Sequence, residues 1–539
     1  MKAEIKGNLV DIHSESIYPV ELFLEGGVIK KIVRLEQNQN TFILPGFVDA
    51  HIHIESSLLT PENFAPIALR HGTIATVSDP HEIANVCGLE GVDFMIRSGE
   101  RAALRFFWTA PSCVPATSFE TSGAIIAADD LKKLFANDKV VALGEMMNYP
   151  GVIFGDPTVW DKCKTTLESL RVIDGHAPGL TGKDLKAYVS AGITTDHECS
   201  TLEEAKEKLG LGLKILIREG SSAKNFEALC SLLNTNPDEV MLCSDDLHAD
   251  DLLKGHLDLL IKKALHKKIS LFNVLKAVSL NPVQHYKLPL GLLREGDSAD
   301  FVVVDSLSDF NILETWIGGN VVSEKDKSEY PSAGSHINNF NASFLSLEDL
   351  HLQFKGKKVK VMEVEEGSLS TGMYLQDIDT DGGESFLRKG ILKLVVKDRY
   401  KDQFLSCAFV KGFGEMRGAI ASTIAHDSHN IIAVGSSDED IMKAMNLVIE
   451  KKGGISFVHQ TFSLILPLPV GGLMSDMSAD DVASFYESIL KATHEHGCTL
   501  KSPLMTLSFL ALLVIPSLKL SDKGLFDVNT FSFTDLFVD

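Results

Sequence analysis

Between Leu44 and Asp245, apolar runs ending in polar or glycine-containing turns recur eight times, with helix-like segments between them. That rhythm predicts repeated βα units, and eight such units suggest a closed barrel. The runs end at His51-Ile-His53, Val77-Ser-Asp-Pro-His81, Trp108-Thr-Ala-Pro-Ser112, Leu143-Gly-Glu145, Ile173-Asp-Gly-His176, Thr195-Asp-His197, Ile217-Arg-Glu219 and Leu242-Cys-Ser-Asp245. Units three and seven look briefest. In a barrel of this kind chemistry sits at the C-terminal strand ends, and every one of these polar groups falls there.

A chain of 539 residues exceeds what one core supports. Residues 1–45 alternate polar and apolar positions around Glu25-Gly-Gly27, and the same texture returns in Gly291 to Asp305 and Trp316 to Val322. The expected fold is therefore α/β: a (β/α)8 TIM-like barrel over 46–285, with a small β-sandwich domain built from the flanking segments 1–45 and 286–335. A polar stretch from Ser323 to Asn341 reads as a linker, and 342–539 as a C-terminal α+β domain.

Charge narrows the partners. With 51 Lys+Arg against 73 Asp+Glu, the net charge of −22 disfavours nucleic acid and anionic membrane surfaces. The eight cysteines are scattered without a CxxC pair, which fits a reducing cytoplasm. The N-terminus lacks the apolar core of a signal peptide. The most apolar run, Leu504 to Leu520, is interrupted by Pro516 and Lys519 and reads as buried core, so no membrane segment is expected.

Side chains alternate along a strand, so His51 and His53 point the same way and can share one divalent ion. A lone HxH is weak, but the other run ends add Glu145, His176, His197 and Asp245, enough donors for two metals. His51, His53 and Asp245 would hold one ion, His176 and His197 the other, with Glu145 bridging. Asp79, His81 and Glu82 follow the second run, where they would meet a substrate edge or buttress the histidines. The bland alternative is a turn and helix cap, since Ser-Asp-Pro starts helices well. Ser112, Arg218 and Glu219 face the same mouth by position only. His426 and His429 suit one face of a helix or turn, and His248, His256 and His285 read as packed or solvated.

Longer strings carry a resemblance. The histidine and carboxylate pattern resembles the amidohydrolase superfamily. Ser78 to Val86, Gly144 to Val152, Asp174 to Gly179, Thr195 to Glu198 and Cys243 to His248 are similar to bacterial and archaeal adenine deaminases, as are Ala425 to Ile432 and Pro467 to Ser475 beyond the barrel. The likeness spans essentially the whole chain, with one departure expected: a short N-terminus that starts almost directly at the β domain, without any helical extension relatives carry. It implies metal-dependent conversion of adenine and water to hypoxanthine and ammonia, as in purine salvage. Asp245 would move the proton, Glu145 would serve as ligand and proton donor, and Asp79 and His81 would contact substrate. Manganese is the expected metal, with iron or zinc as alternatives. Association into a homo-oligomer is left open. The competing readings are another deaminase or a cyclic amidase of the superfamily, or a barrel that has kept its scaffold and lost catalysis.

Overall fold

The computed structural model describes residues 2–221, 223–322, 336–378 and 390–539, so most of the expected linker lies outside the described residues. The chain separates into two compact units. The first comprises Met1–His81, Asp93–Cys113 and Ile126–Ala333, and the second Glu82–Val92, Val114–Ile125 and Gly334–Asp539. Residues 82–92 and 114–125, read from sequence as barrel, thus belong with the second unit. Hydrogen bonds explain this: Thr121 donates its backbone N–H to Asp522 at 3.0 Å, and Asn430 donates its side-chain amide to the Thr121 carbonyl at 2.9 Å.

In the first unit, Phe47–Ile52, Thr73–Ser78, Arg105–Ala110, Val140–Met146 and Val172–Gly175 form a five-stranded parallel sheet. Thr195–Asp196, Lys214–Arg218 and Val240–Cys243 form a three-stranded one. Isolated parallel bridges, Ile173 to Ile193 and Ile52 to Asp245, join the two sheets into a TIM-like ring. At the second seam the Asp245 N–H donates to the His51 carbonyl at 2.9 Å, and the His53 N–H donates to the Asp245 carbonyl at 3.2 Å. The strands are covered on both faces, which is why they read as unbroken apolar runs and not as alternation. Phe47–Ile52 and Thr73–Ser78 are buried throughout, and Ala75, Val77, Ile215, Ile217, Met241 and Leu242 share one core.

The expectation about brief strands needs correcting. Arg105–Ala110 has 6 residues and Lys214–Arg218 has 5, whereas the sixth barrel strand, Thr195–Asp196, has only 2. Side chains replace part of its ladder: the Thr194 hydroxyl donates to the Ile173 carbonyl at 2.9 Å, and the Gly175 N–H donates to the Thr195 hydroxyl at 3.1 Å. A Cβ at Gly175 would stand 2.2 Å from the Thr195 carbonyl oxygen, so only glycine permits this approach.

Both flanks of the barrel segment enter one seven-stranded sheet, in which Phe42–Pro45 lies parallel to Lys2–Asp11 and antiparallel to Phe301–Val304. Its two ends share a core, Leu22 and Leu24 clustering with Phe301, Val303 and Trp316.

The second unit is built on a nine-stranded sheet with the helix Asp438–Glu450 packed against it. Ser437 caps that helix by accepting from the Asp440 N–H, three acids occupy its first turn, and Ile441, Ala444, Met445, Val448 and Ile449 form its buried stripe. The apolar run after residue 503 is core as expected, with Leu504, Met505, Leu507 and Phe509 buried. Lys519, read as an interruption, is fully buried, and its amine donates to the Leu369 and Phe509 carbonyls at 2.9 Å each. No described helix is long and apolar enough to cross a membrane.

Candidate metal centre

Glu145, near the end of the fourth barrel strand, is where the donors of the first unit converge. Its Oε1 lies 3.4 Å from His53 Nε2 and 3.6 Å from His81 Nδ1. Its Oε2 lies 2.6 Å from His176 Nδ1 and 3.1 Å from His197 Nε2. On the closing seam, Asp245 Oδ1 stands 3.4 Å from His51 Nε2 and 3.3 Å from His53 Nε2. The rings of His51 and His197 stack at 4.3 Å between centroids, drawing the two groups of donors together.

Neighbouring groups position several of these donors. His53 Nδ1 donates to the Asp79 carbonyl at 3.1 Å, which sets its tautomer and leaves Nε2 with a lone pair facing Glu145 and Asp245. Two residues before His51, Asp49 accepts from the Ser244 N–H at 3.1 Å and from His256 Nε2 at 2.8 Å. His256 in turn meets the Thr73 hydroxyl at 2.7 Å, so it is packed and braces the first and second strands. Lys208 ties the fifth and sixth strand ends together, reaching Asp196 at 3.0 Å and the Ala177 carbonyl at 2.7 Å.

Asp79 is not the helix cap that its sequence context suggested. The helix His81–Glu100 has Pro80 at its N-cap without a side-chain bond, and the Asp79 carboxylate instead accepts from the Glu145 N–H at 3.0 Å. His81 Nδ1 lies 3.7 Å from Asp79 Oδ1, so both residues stand at the cluster. Ser112 donates to the Glu145 carbonyl and supports it from behind. Glu219 is elsewhere, paired with Lys263 at 3.0 Å. His285 is packed, and burial pushes its imidazole down to about 4.

Two groups at the centre were underestimated from sequence. Glu198 Oε1 lies 3.3 Å from His197 Nε2 and 3.5 Å from His176 Nδ1. Arg218 joins Glu198 at 2.6 Å and also pairs with Asp245 Oδ2. The quoted string Thr195-Asp-His-Glu198 contained the signal for the first; strand alternation concealed it.

Burial alone would raise the carboxylates, yet their cationic partners win. The positive charges of His176 and His197 hold Glu145 well below the usual carboxylate range. Arg218, with His51 and His53 beside the carboxylate, does the same for Asp245. Burial likewise opposes a proton on His53 and His197, but the surrounding carboxylates raise both well above an ordinary imidazole. His51 is the exception, lowered by burial and by the His197 charge.

The donor set fits divalent ions. Ligand atoms about 2.0–2.2 Å from a tetrahedral ion stand about 3.3–3.6 Å apart, and most of the separations above lie at that spacing. His51 Nε2 is buried without a hydrogen bond, as a nitrogen kept for a metal would be. His51, His53 and Asp245 form one compact triplet, and His176, His197 and Glu198 another. Glu145 presents one oxygen toward each side.

Residues 42–322 match the amidohydrolase family, and residues 369–532 match the adenine deaminase C-terminal domain. The chain is 48% identical over 549 residues to an adenine deaminase of Methanosarcina mazei, covering 99% of each chain. It is 47% identical over 540 residues to an adenine deaminase of Salinibacter ruber, again covering 99% of each. A β-aspartyl dipeptidase structure from Fervidobacterium islandicum AW-1 aligns with 60% of this chain and 96% of its own, at 19% identity and a TM-score of 0.46.

Proposed function

The chain belongs to the adenine deaminase family of the amidohydrolases, and from that premise we propose that it hydrolyses adenine to hypoxanthine and ammonia. The observation that carries this reading is Glu145 set between paired imidazoles, with Asp245 held ionised beside them by Arg218. His51, His53 and Asp245 would hold one ion and His176 and His197 a second, with Glu145 serving both. The imidazole and carboxylate donors suit manganese first, then iron or zinc. When bound, the ions supply Lewis acidity that makes water a nucleophile near neutral pH.

The protein's own groups then manage the protons. Asp245 accepts a proton from the attacking water and passes it to the amino group as a new C6–O bond forms. The C6–N bond breaks and ammonia leaves. Arg218 keeps the carboxylate ionised and orients it, so Oδ1 faces the reaction. Glu145 lies among imidazoles that hold it ionised, which suits a ligand better than a proton donor. Asp79 and His81 are assigned to the substrate edge.

The substrate pair is a small molecule and water. The eight cysteines are free thiols, which supports the cytoplasm as the working compartment. By domain, 1–45 and 286–335 are assigned to the β layer, 46–285 to the barrel, and 342–539 to the C-terminal α+β domain, the last joined by 82–92 and 114–125.

The test is a substrate panel with Mn²⁺ added, followed for ammonia and hypoxanthine. Adenine should turn over and adenosine should not. Inert adenine together with opening of a hydantoin ring would replace this reading with a cyclic amidase.

A further inference from the structure

The second unit contains a cluster of donors that the reaction above does not use. Glu82, in the first turn of the helix His81–Glu100, presents Oε1 3.3 Å from His426 Nδ1. His429 completes a triplet whose ligand atoms all lie within 4.8 Å of one another, and all three residues are buried. Asp427 Oδ1 lies 3.8 Å from the same His426 nitrogen. The turn carrying the two imidazoles connects the strands Ala419–Ser422 and Ile431–Gly435, which pair with each other in the central sheet.

We propose that Glu82, His426 and His429 form a divalent transition-metal site in the second unit, separate from the barrel ions. The 3.3 Å edge between Glu82 and His426 matches the about 3.3–3.6 Å between neighbouring ligands of a tetrahedral ion. Two imidazoles and one carboxylate make a three-protein-ligand set for zinc or ferrous iron, with Asp427 placed near the remaining positions. The second imidazole stands beside the first, with 5.6 Å between ring centres.

Packing and charge point the same way. The His426 ring stacks on Phe509 at 4.8 Å between centroids, which fixes its plane. The surroundings hold further buried acids, Glu120 and Asp427. Concentrated negative charge inside a protein is stabilised by a cation, and a divalent ion meets that need while using the ring nitrogens as ligands. Such an ion would fasten the start of the helix to the 425–430 turn and so act structurally.

The experiment strips the full-length protein of metal, saturates it with Zn²⁺ alone, removes unbound zinc and counts equivalents by plasma mass spectrometry. The double variant His426→Ala/His429→Ala should hold one equivalent less than wild type, and His51→Ala/His53→Ala should keep the equivalent that the double variant loses. Glu82→Gln preserves shape, so its lower zinc retention guards against a folding artefact. Diffraction from wild-type crystals at the zinc edge should show an anomalous peak between the three side chains. Equal zinc content in wild type and the double variant, or no peak at this position, would overturn the site. A raised KM for adenine in the double variant with zinc content unchanged would also overturn it, assigning these groups to substrate. Failure of adenine turnover would leave the zinc counts untouched, so the two readings fall separately.

Discussion

The donors at the barrel mouth and those in the second unit reach the same chemistry by opposite routes. In the barrel, His51, Glu145, His176, His197 and Asp245 come from different strand ends, and each has its own brace, such as Arg218 or the Asp49–His256 pair. In the second unit, two of the three donors come from one short turn and the third from the start of a helix. A distributed site is imposed by the fold and should outlast the loss of any one ligand. A local site of the kind proposed would depend on its ion to hold the turn in place.

That contrast breaks first at Asp245. Asp245→Asn should lower kcat by roughly 10²–10⁴-fold with little change in KM, because an amide cannot take up the water's proton. Asp246 accepts from the Ser56 hydroxyl at 2.5 Å and is in neither triplet assigned to the barrel ions, so Asp246→Asn should be much milder. Steady-state kinetics on both variants decide it, and the reverse ranking would move the catalytic carboxylate by one residue.

Next come the ligands themselves. His51→Ala or His53→Ala should remove one metal equivalent and most of the activity while circular dichroism and thermal unfolding stay close to wild type. Unfolding of either variant would mean that the barrel, too, needs its ions to stand. A smaller loss is expected from Arg218→Gln, which frees Asp245 and Glu198 from their shared guanidinium: about 10–100-fold in metal affinity, read by chelator competition. Unchanged affinity would remove Arg218 from the positioning groups.

The smallest effect belongs to the second unit. Burial pushes the Lys519 amine down to about 7, so unfolding requires it to gain a proton wherever the pH lies between that value and the ordinary lysine range. Its contribution to stability should therefore rise from pH 7 toward pH 10 and vanish as a slope below 7. Urea unfolding of wild type against Lys519→Met across this range measures it. A pH-independent difference would show that the amine stays charged in the core.

Much of the barrel was legible because strands buried on both faces leave continuous apolar runs, and each run stops where a polar side chain must face the mouth. Glu198 escaped because strand alternation places it opposite His197. The strand in fact ends at Asp196, whose carboxylate accepts from the Glu198 N–H at 2.9 Å and turns the chain so that both side chains reach one point. Arg218 had position in its favour and nothing more, since a lone arginine does not announce its acids. The affiliation of residues 82–92 and 114–125 was hidden for a different reason: periodicity reports what a segment becomes, not which core it joins. The same blindness covered Lys519, whose acceptors are backbone carbonyls that no residue type reveals.

The seam between the first and last barrel strands has a consequence in time. His51 and His53 are made early in synthesis, yet their backbone partners are the N–H and carbonyl of Asp245, nearly two hundred residues later. Until Asp245 has left the ribosome the first strand has an open edge, and an open edge invites pairing with another chain. The last stitch that removes this hazard also delivers the third donor of the triplet. A nascent chain therefore completes this donor triplet at the same moment that its first strand loses its open edge, and a chain stopped short of that residue has done neither.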